Sequence, residues 1–113
     1  MAELIPLNNF RLLLQPLESG SNVLYQETTN NVDTIILSLH LANKTETIKR
    51  VTVKLQNDDF TTTLIKNAPV PPEDAINPFA GRVVLEFGNS LIVETDTSGS
   101  IDSSLSILEN ANE

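Results

Sequence analysis

Apolar and polar residues alternate along most of this chain with a period of two. Leu37, Leu39 and Leu41 are separated by Ser38 and His40, and Val51, Val53 and Leu55 by Thr52 and Lys54. Phe60, Thr62 and Leu64 form a weaker set; Val83, Leu85 and Phe87, then Leu91 and Val93, then Leu105 and Ile107 repeat the pattern. Successive side chains of a strand point to opposite faces, so each set marks a strand with one face in a core and the other toward solvent or a partner. β-Branched residues and Thr, which favour strands, dominate these stretches. Turn-forming groups separate them: Ser19-Gly20, Asn30-Asn31, Asn43-Lys44-Thr45, Asn57-Asp58-Asp59, Gly88-Asn89 and Ser98-Gly99. Strands are therefore expected over about 10–15, 22–28, 33–42, 47–56, 60–66, 81–87, 90–96 and 101–109. Leu37, Leu39, Leu41, Val51, Val53, Leu55, Val83, Leu85, Leu91, Val93, Leu105 and Ile107 are the expected core. The architecture this predicts is all-β: a single antiparallel two-sheet β-sandwich of about eight strands, with the jelly roll as one way to connect them.

Three segments break the alternation. Residues 67–78 carry Pro69, Pro71, Pro72 and Pro78, four of the chain's six prolines. Proline fixes φ and removes a donor, so this stretch reads as a stiff extended loop, with one helical turn at most over Pro72 to Ile76. Residues 1–9 are apolar without a period and form either an N-terminal arm or part of the first strand; residues 110–113 form a polar tail. Leu4, Ile5, Leu7 and Phe10, left free in water, would make an exposed patch that soluble monomers avoid. Together with Pro69, Val70, Pro71, Pro72 and Pro78 on the pre-stiffened loop, they are the expected partner-binding residues.

Composition then narrows the function. The 113 residues suit one domain able to fold without staples. There is no cysteine, which removes disulfides, thiol catalysis and thiolate metal sites and is consistent with folding in a reducing cytoplasm. A net charge of −8 argues against nucleic acid, whose phosphates want clustered Lys and Arg. Lys44, Lys49, Arg50 and Lys54 read as a solvated strand face. No apolar run reaches the ~20 residues of a membrane helix, and the first residues lack the basic and apolar regions of a secretory signal.

Candidate chemistry is sparse. His40 is the only histidine and alternates with leucines, so it reads as a strand-face residue. Asp58-Asp59 lacks the ligand spacing of a calcium loop and reads as a turn. Glu94, Asp96 and Asp102 could approach one another across a hairpin, but paired surface carboxylates are usually only solvated. With no Trp and one Tyr the chain offers little sugar-stacking surface. Asn43-Lys44-Thr45 matches a glycosylation acceptor by chance. No catalytic, metal or cofactor residue is expected, and the chain is read as a non-enzymatic module.

The segments Ile35 to Asn43, Asn67 to Pro71, Leu85 to Leu91 and Leu105 to Glu109 resemble small β-sandwich virion proteins of tailed bacteriophages, over roughly residues 20–109. The resemblance implies a many-copy structural role in the virion, assembled in the bacterial host cytoplasm. Its first expectation is a capsid decoration or cement protein on the major capsid protein, with a neck, tail or baseplate component as the alternative. From a different class, a carbohydrate- or receptor-binding sandwich is the further alternative. Short edge strands, and Ile92 and Leu108 on otherwise polar faces, lead to the expectation of self-association, with a trimer as the expected form.

Overall fold

A computed structural model describes residues 7–27, 32–57, 60–79, 83–86 and 88–111. Nine strands run through them: β1 Leu7–Pro16, β2 Gly20–Gln26, β3 Val32–Asn43, β4 Lys49–Gln56, β5 Thr61–Val70, β6 Ala75–Ile76, β7 Val83–Leu85, β8 Ser90–Thr95 and β9 Ile101–Ala111. All eight expected strands are present, with β6 added, and no described residue is helical. The expected turns at Asn30-Asn31 and Asp58-Asp59, and Phe87 of the alternating set with Val83 and Leu85, lie outside the described residues.

Two antiparallel sheets share the strands. Sheet A has the order β1-β9-β3-β6, with β7 also pairing β3; sheet B has the order β2-β8-β4-β5. β6 and β7 occupy one flank of β3, the first at Leu41 and Ala42, the second at Thr34 to Ile36. The pairs β1–β9, β2–β8, β3–β7 and β4–β5 are nested, as in one long hairpin with β4–β5 at its tip. Successive rungs of that hairpin fall in opposite sheets, and this rolled arrangement of eight strand positions is the jelly roll. Consequently Gly88-Asn89 and Ser98-Gly99 do not close hairpins. Each carries the chain from one sheet to the other, so Glu94 and Asp102 sit on different sheets, while Glu94 and Asp96 line one open depression beside Arg50.

The core lies between the sheets. Ile36, Leu39, Leu41, Leu105 and Ile107 of sheet A face Leu24, Val51, Val53, Leu91 and Val93 of sheet B, all buried. Leu17, Val70, Leu85 and Ile101 complete it. Most of the expected core is found here, but Leu37 is only partly covered. The β3–β9 register slips between Ile36 and Ser38, so Ile36 turns inward and the extra residue, Leu37, is displaced. Leu55 and Val83 pack at the margin of the core.

The proline-rich stretch departs from the expected free loop. β5 runs on through Pro69 to Val70, as an edge strand can when its register is irregular. Beyond it, Glu73 takes a positive φ of 55°, and no helical turn forms. Backbone bonds from Asn43 N to Asp74 O at 2.8 Å and from Glu73 N to Thr45 O at 3.1 Å fasten the turn to the body of the domain.

Candidate docking surface

The side chains of sheet A that point away from the core come from strict alternation on β9 and from alternation on β3 on either side of its slip at Leu37. Ile101, Ser103, Leu105 and Ile107 are buried, whereas Asp102, Ser104, Ser106 and Leu108 are not. Register then fixes their neighbours. Phe10 lies opposite Leu108, Leu108 opposite Ile35, and Ile35 opposite Val84, a continuous apolar row across four strands. Leu12 faces Ser106, and Leu14 faces Ser104, which faces His40. Phe10, Leu12 and Leu14 are 71%, 61% and 69% exposed, and Val84 55%. Isolated exposed apolar residues are ordinary, but neighbours on one face of adjoining strands make a patch of the kind that marks an interaction surface.

This places the residues expected to bind partners. Leu4 and Ile5 lie outside the described residues. Leu7 is the first residue of β1, paired with Ala111, so from Leu7 onward the segment belongs to the domain's own sheet, the second of the two readings its sequence allowed. Asn110 and Ala111 likewise belong to β9 and not to a tail. Phe10 stands on the apolar face. Pro69, Pro71 and Pro72 are exposed and Pro78 is half-buried. Val70 is fully buried in the core and offers no surface to a partner. Phe10 and the proline turn are also not brought together. Phe10 is in the row of Leu108 and Ile35, while Ala75 beside the turn is in the row of Ala42, Asp102 and Pro16, at the far corner of the sheet.

Sequence reading missed Leu12, Leu14, Ile35 and Val84. The unbroken run Leu12-Leu13-Leu14 hides its alternation, and only Leu13 packs against the core. The signal lay in Phe10, Leu12 and Leu14, which share a parity once the strand is granted.

Polar groups beside this surface form two arrangements. Leu14, Pro16, His40, Ala42, Asp102 and Ser104 line an open depression of about 460 Å³. Asp102 pairs with Lys44 at 3.4 Å, and no hydrogen bond joins His40 to Ser104 or Asp102 among the described residues. At one end of the sandwich, Tyr25 donates to Glu109 at 2.5 Å and lies 3.1 Å from Thr34 Oγ1, and Thr34 donates to Glu27 at 2.5 Å. Arg11 pairs with Glu109 at 3.3 Å. Burial works against the ionised Glu109, but the Tyr25 hydrogen bond, the Arg11 charge and the bonds from Asn9 and Arg11 outweigh it and lower its pKa. Burial, and then the bond to Glu109, raise the Tyr25 pKa. On sheet B, bonds from Ser21 and Lys54 lower the Glu94 pKa. No cluster of three or more His, Cys, Asp or Glu side chains suited to a metal occurs among the described residues.

Asn43 answers the glycosylation match. Its Nδ2 donates to Thr47 O at 2.7 Å and Val70 O at 3.0 Å, and its Oδ1 accepts from Thr45 N at 2.9 Å. The side chain is buried and fully used in organising the turn.

No family model and no curated protein matches the chain. Its fold is similar to that of a chain in a solved structure described as "Bacillus endospore appendages form a novel family of disulfide-linked pili", with a TM-score of 0.59 and 10% identity, covering 98% of this chain and 91% of that one. At that identity the likeness concerns the fold. The present chain has no cysteine and so no thiol for a disulfide link.

Proposed function

We propose that the chain is a non-enzymatic structural subunit that joins a large assembly through the outer face of sheet A. The observation that carries this reading is the apolar row Phe10, Leu108, Ile35 and Val84, extended along β1 by Leu12 and Leu14. On a chain of net charge −8, these residues place an uncharged area where a partner can dock without desolvating carboxylates. The fold likeness to a chain from bacterial appendages supports the coarser part of the reading, an assembling structural module.

The finer part rests on the sequence resemblance. It takes the assembly to be a bacteriophage virion and the partner to be the major capsid protein, with the chain as a decoration or cement subunit; a place in the neck, tail or baseplate is the alternative. The test is binding to purified heads and, separately, to tails, by wild-type protein and by the triple variant Phe10→Ser, Leu12→Ser, Leu14→Ser. Since these side chains are exposed, the variant should keep its far-ultraviolet dichroism and melt within a few degrees of wild type, shifting stability by under about 1 kcal/mol. Loss of binding to heads supports decoration; loss of binding to tails moves the subunit there. Undiminished binding by the folded variant overturns the docking face.

A further inference from the structure

The edge strands of this sandwich differ in how they are protected. β2 is broken by a register shift between Val23 and Tyr25. β5 has two shifts, a positive φ of 54° at Asn67, and Lys66 and Pro69 within it. β6 and β7 span two and three residues. Bulges, lysines, prolines and shortness are the devices by which sheets discourage pairing with other chains. β1 has little of this: one charged side chain, Arg11, which is engaged by Glu109 of its own chain, and a proline at its end. It pairs with β9 without a shift from Leu7 to Pro16, contains no lysine, and has its proline only at its last residue. Its other edge is unpaired among the described residues.

We propose that β1 is a self-pairing edge: two copies of the chain join antiparallel through β1 about a two-fold axis at Leu12. Two-fold antiparallel pairing sets one residue opposite its own copy. With Leu12 at the axis, Phe10 of each copy falls opposite Leu14 of the other, and all these side chains stay on the same outer face. Shifting the axis to Arg11 would set Leu14 against Asn8 instead, and shifting it to Leu13 would set Phe10 against Pro16. The Leu12 register thus brings all three apolar residues into cross-strand apolar pairs, the unit that stabilises a sheet. The charges permit it. β1 has no acidic residue, so copies of net charge −8 meet there without opposing carboxylates, and each Arg11 brings its own Glu109. A single ladder of this length buries on the order of 1,000 Å², at the low end for specific interfaces, so the pair forms in concentration-dependent equilibrium. This deepens the docking proposal by giving the subunit its first partner, and it is tested without any particle.

The chain's lack of cysteine makes the register readable by single thiols. Leu12→Cys, Phe10→Cys and Leu14→Cys are prepared separately and oxidised gently at matched concentration. Directly opposed strand residues lie within disulfide reach, whereas two Phe10→Cys or two Leu14→Cys thiols would stand four residues, about 13 Å, apart along the strands, so Leu12→Cys should cross-link to dimer roughly tenfold faster than either alone. Mixing Phe10→Cys with Leu14→Cys should restore the fast rate, and this arm serves if Leu12→Cys misfolds. Equal rates for all single variants, no gain on mixing, or a wild-type monomer at high concentration by sedimentation overturns the self-pairing. None of these results bears on whether the outer face docks on particles: if the self-pairing fails, the triple serine variant reads docking by itself, and if it holds, Val84→Ser, on the same face but away from β1, reads docking without touching the pair.

Discussion

Tyr25 sets one hydroxyl among Glu109, Thr34 and Glu27, where the open end of the sandwich would otherwise leave two carboxylates without that shared donor. Removing it leaves polar groups short of a partner, so Tyr25→Phe is expected to cost about 1–3 kcal/mol at neutral pH, read from urea unfolding. The same cluster makes stability depend on pH at both extremes. Glu109 is held below 4.5, so its contribution is present above that value and is lost as pH falls through the lower folded value. Tyr25 is held above 10.0, so its contribution is present below that value and is lost as pH rises beyond it. Wild type should therefore lose stability on both flanks. Tyr25→Phe should remove the alkaline component and weaken the acid one; an unchanged alkaline flank would show that the hydroxyl does not couple to the fold. Core and bulge residues give a contrast at the same scale. Leu39→Ala should cost about 2–5 kcal/mol, and Leu37→Ala distinctly less, because the bulge leaves Leu37 at the margin.

At the scale of elements, alternation made the strands legible because each buries one face, and the order of buried and exposed positions is written in the residues themselves. It did not show where register slips. Leu37, Leu39 and Leu41 share a parity in the sequence, and only the slip beside Ile36 breaks it. Leu17, Val70 and Ile101 escaped because they sit at strand ends or in a turn, where no period surrounds them. Of the residues expected to bind partners, Phe10 alone stands on the apolar face; the continuation of that face through Leu12 and Leu14 was hidden in a leucine run, and its neighbours Ile35 and Val84 are set by pairing between distant strands. The turn at Ser98-Gly99 was legible, but its destination was not. Gly99 has φ of 75° and donates its N–H to Leu17 O at 3.0 Å, tying the crossing between β8 and β9 to the one between β1 and β2. A Cβ there would meet nothing within 4 Å, so the cost of Gly99→Ala is backbone strain alone. About 1–2 kcal/mol is expected by thermal or urea unfolding; a neutral result would mean that the turn relaxes to negative φ.

For the whole molecule, the governing facts are an elongated shape, a strong negative charge and an apolar row across the outer face of sheet A. The Cα radius of gyration is 15.2 Å, against about 13 Å expected for a globular chain of this length. The excess follows from long strands such as β3 and β9 running the length of the sandwich. Each subunit carries −8, so two subunits repel through solvent at low ionic strength, while the proposed contact between them is made by leucine, phenylalanine and backbone hydrogen bonds. The two effects respond oppositely to salt. Repulsion between exposed charges is screened once the Debye length shrinks to about 10 Å near 0.1 M, whereas burial of apolar side chains does not weaken. Self-association is therefore expected to strengthen as sodium chloride rises from low to physiological concentration, measured by sedimentation equilibrium at fixed protein concentration. An interface built on Lys and Arg of one copy against Asp and Glu of the other would dissociate over the same range. Should wild-type dimers fall apart on adding salt, the contact is ionic, and the β1 edge with its leucines is not where the copies meet.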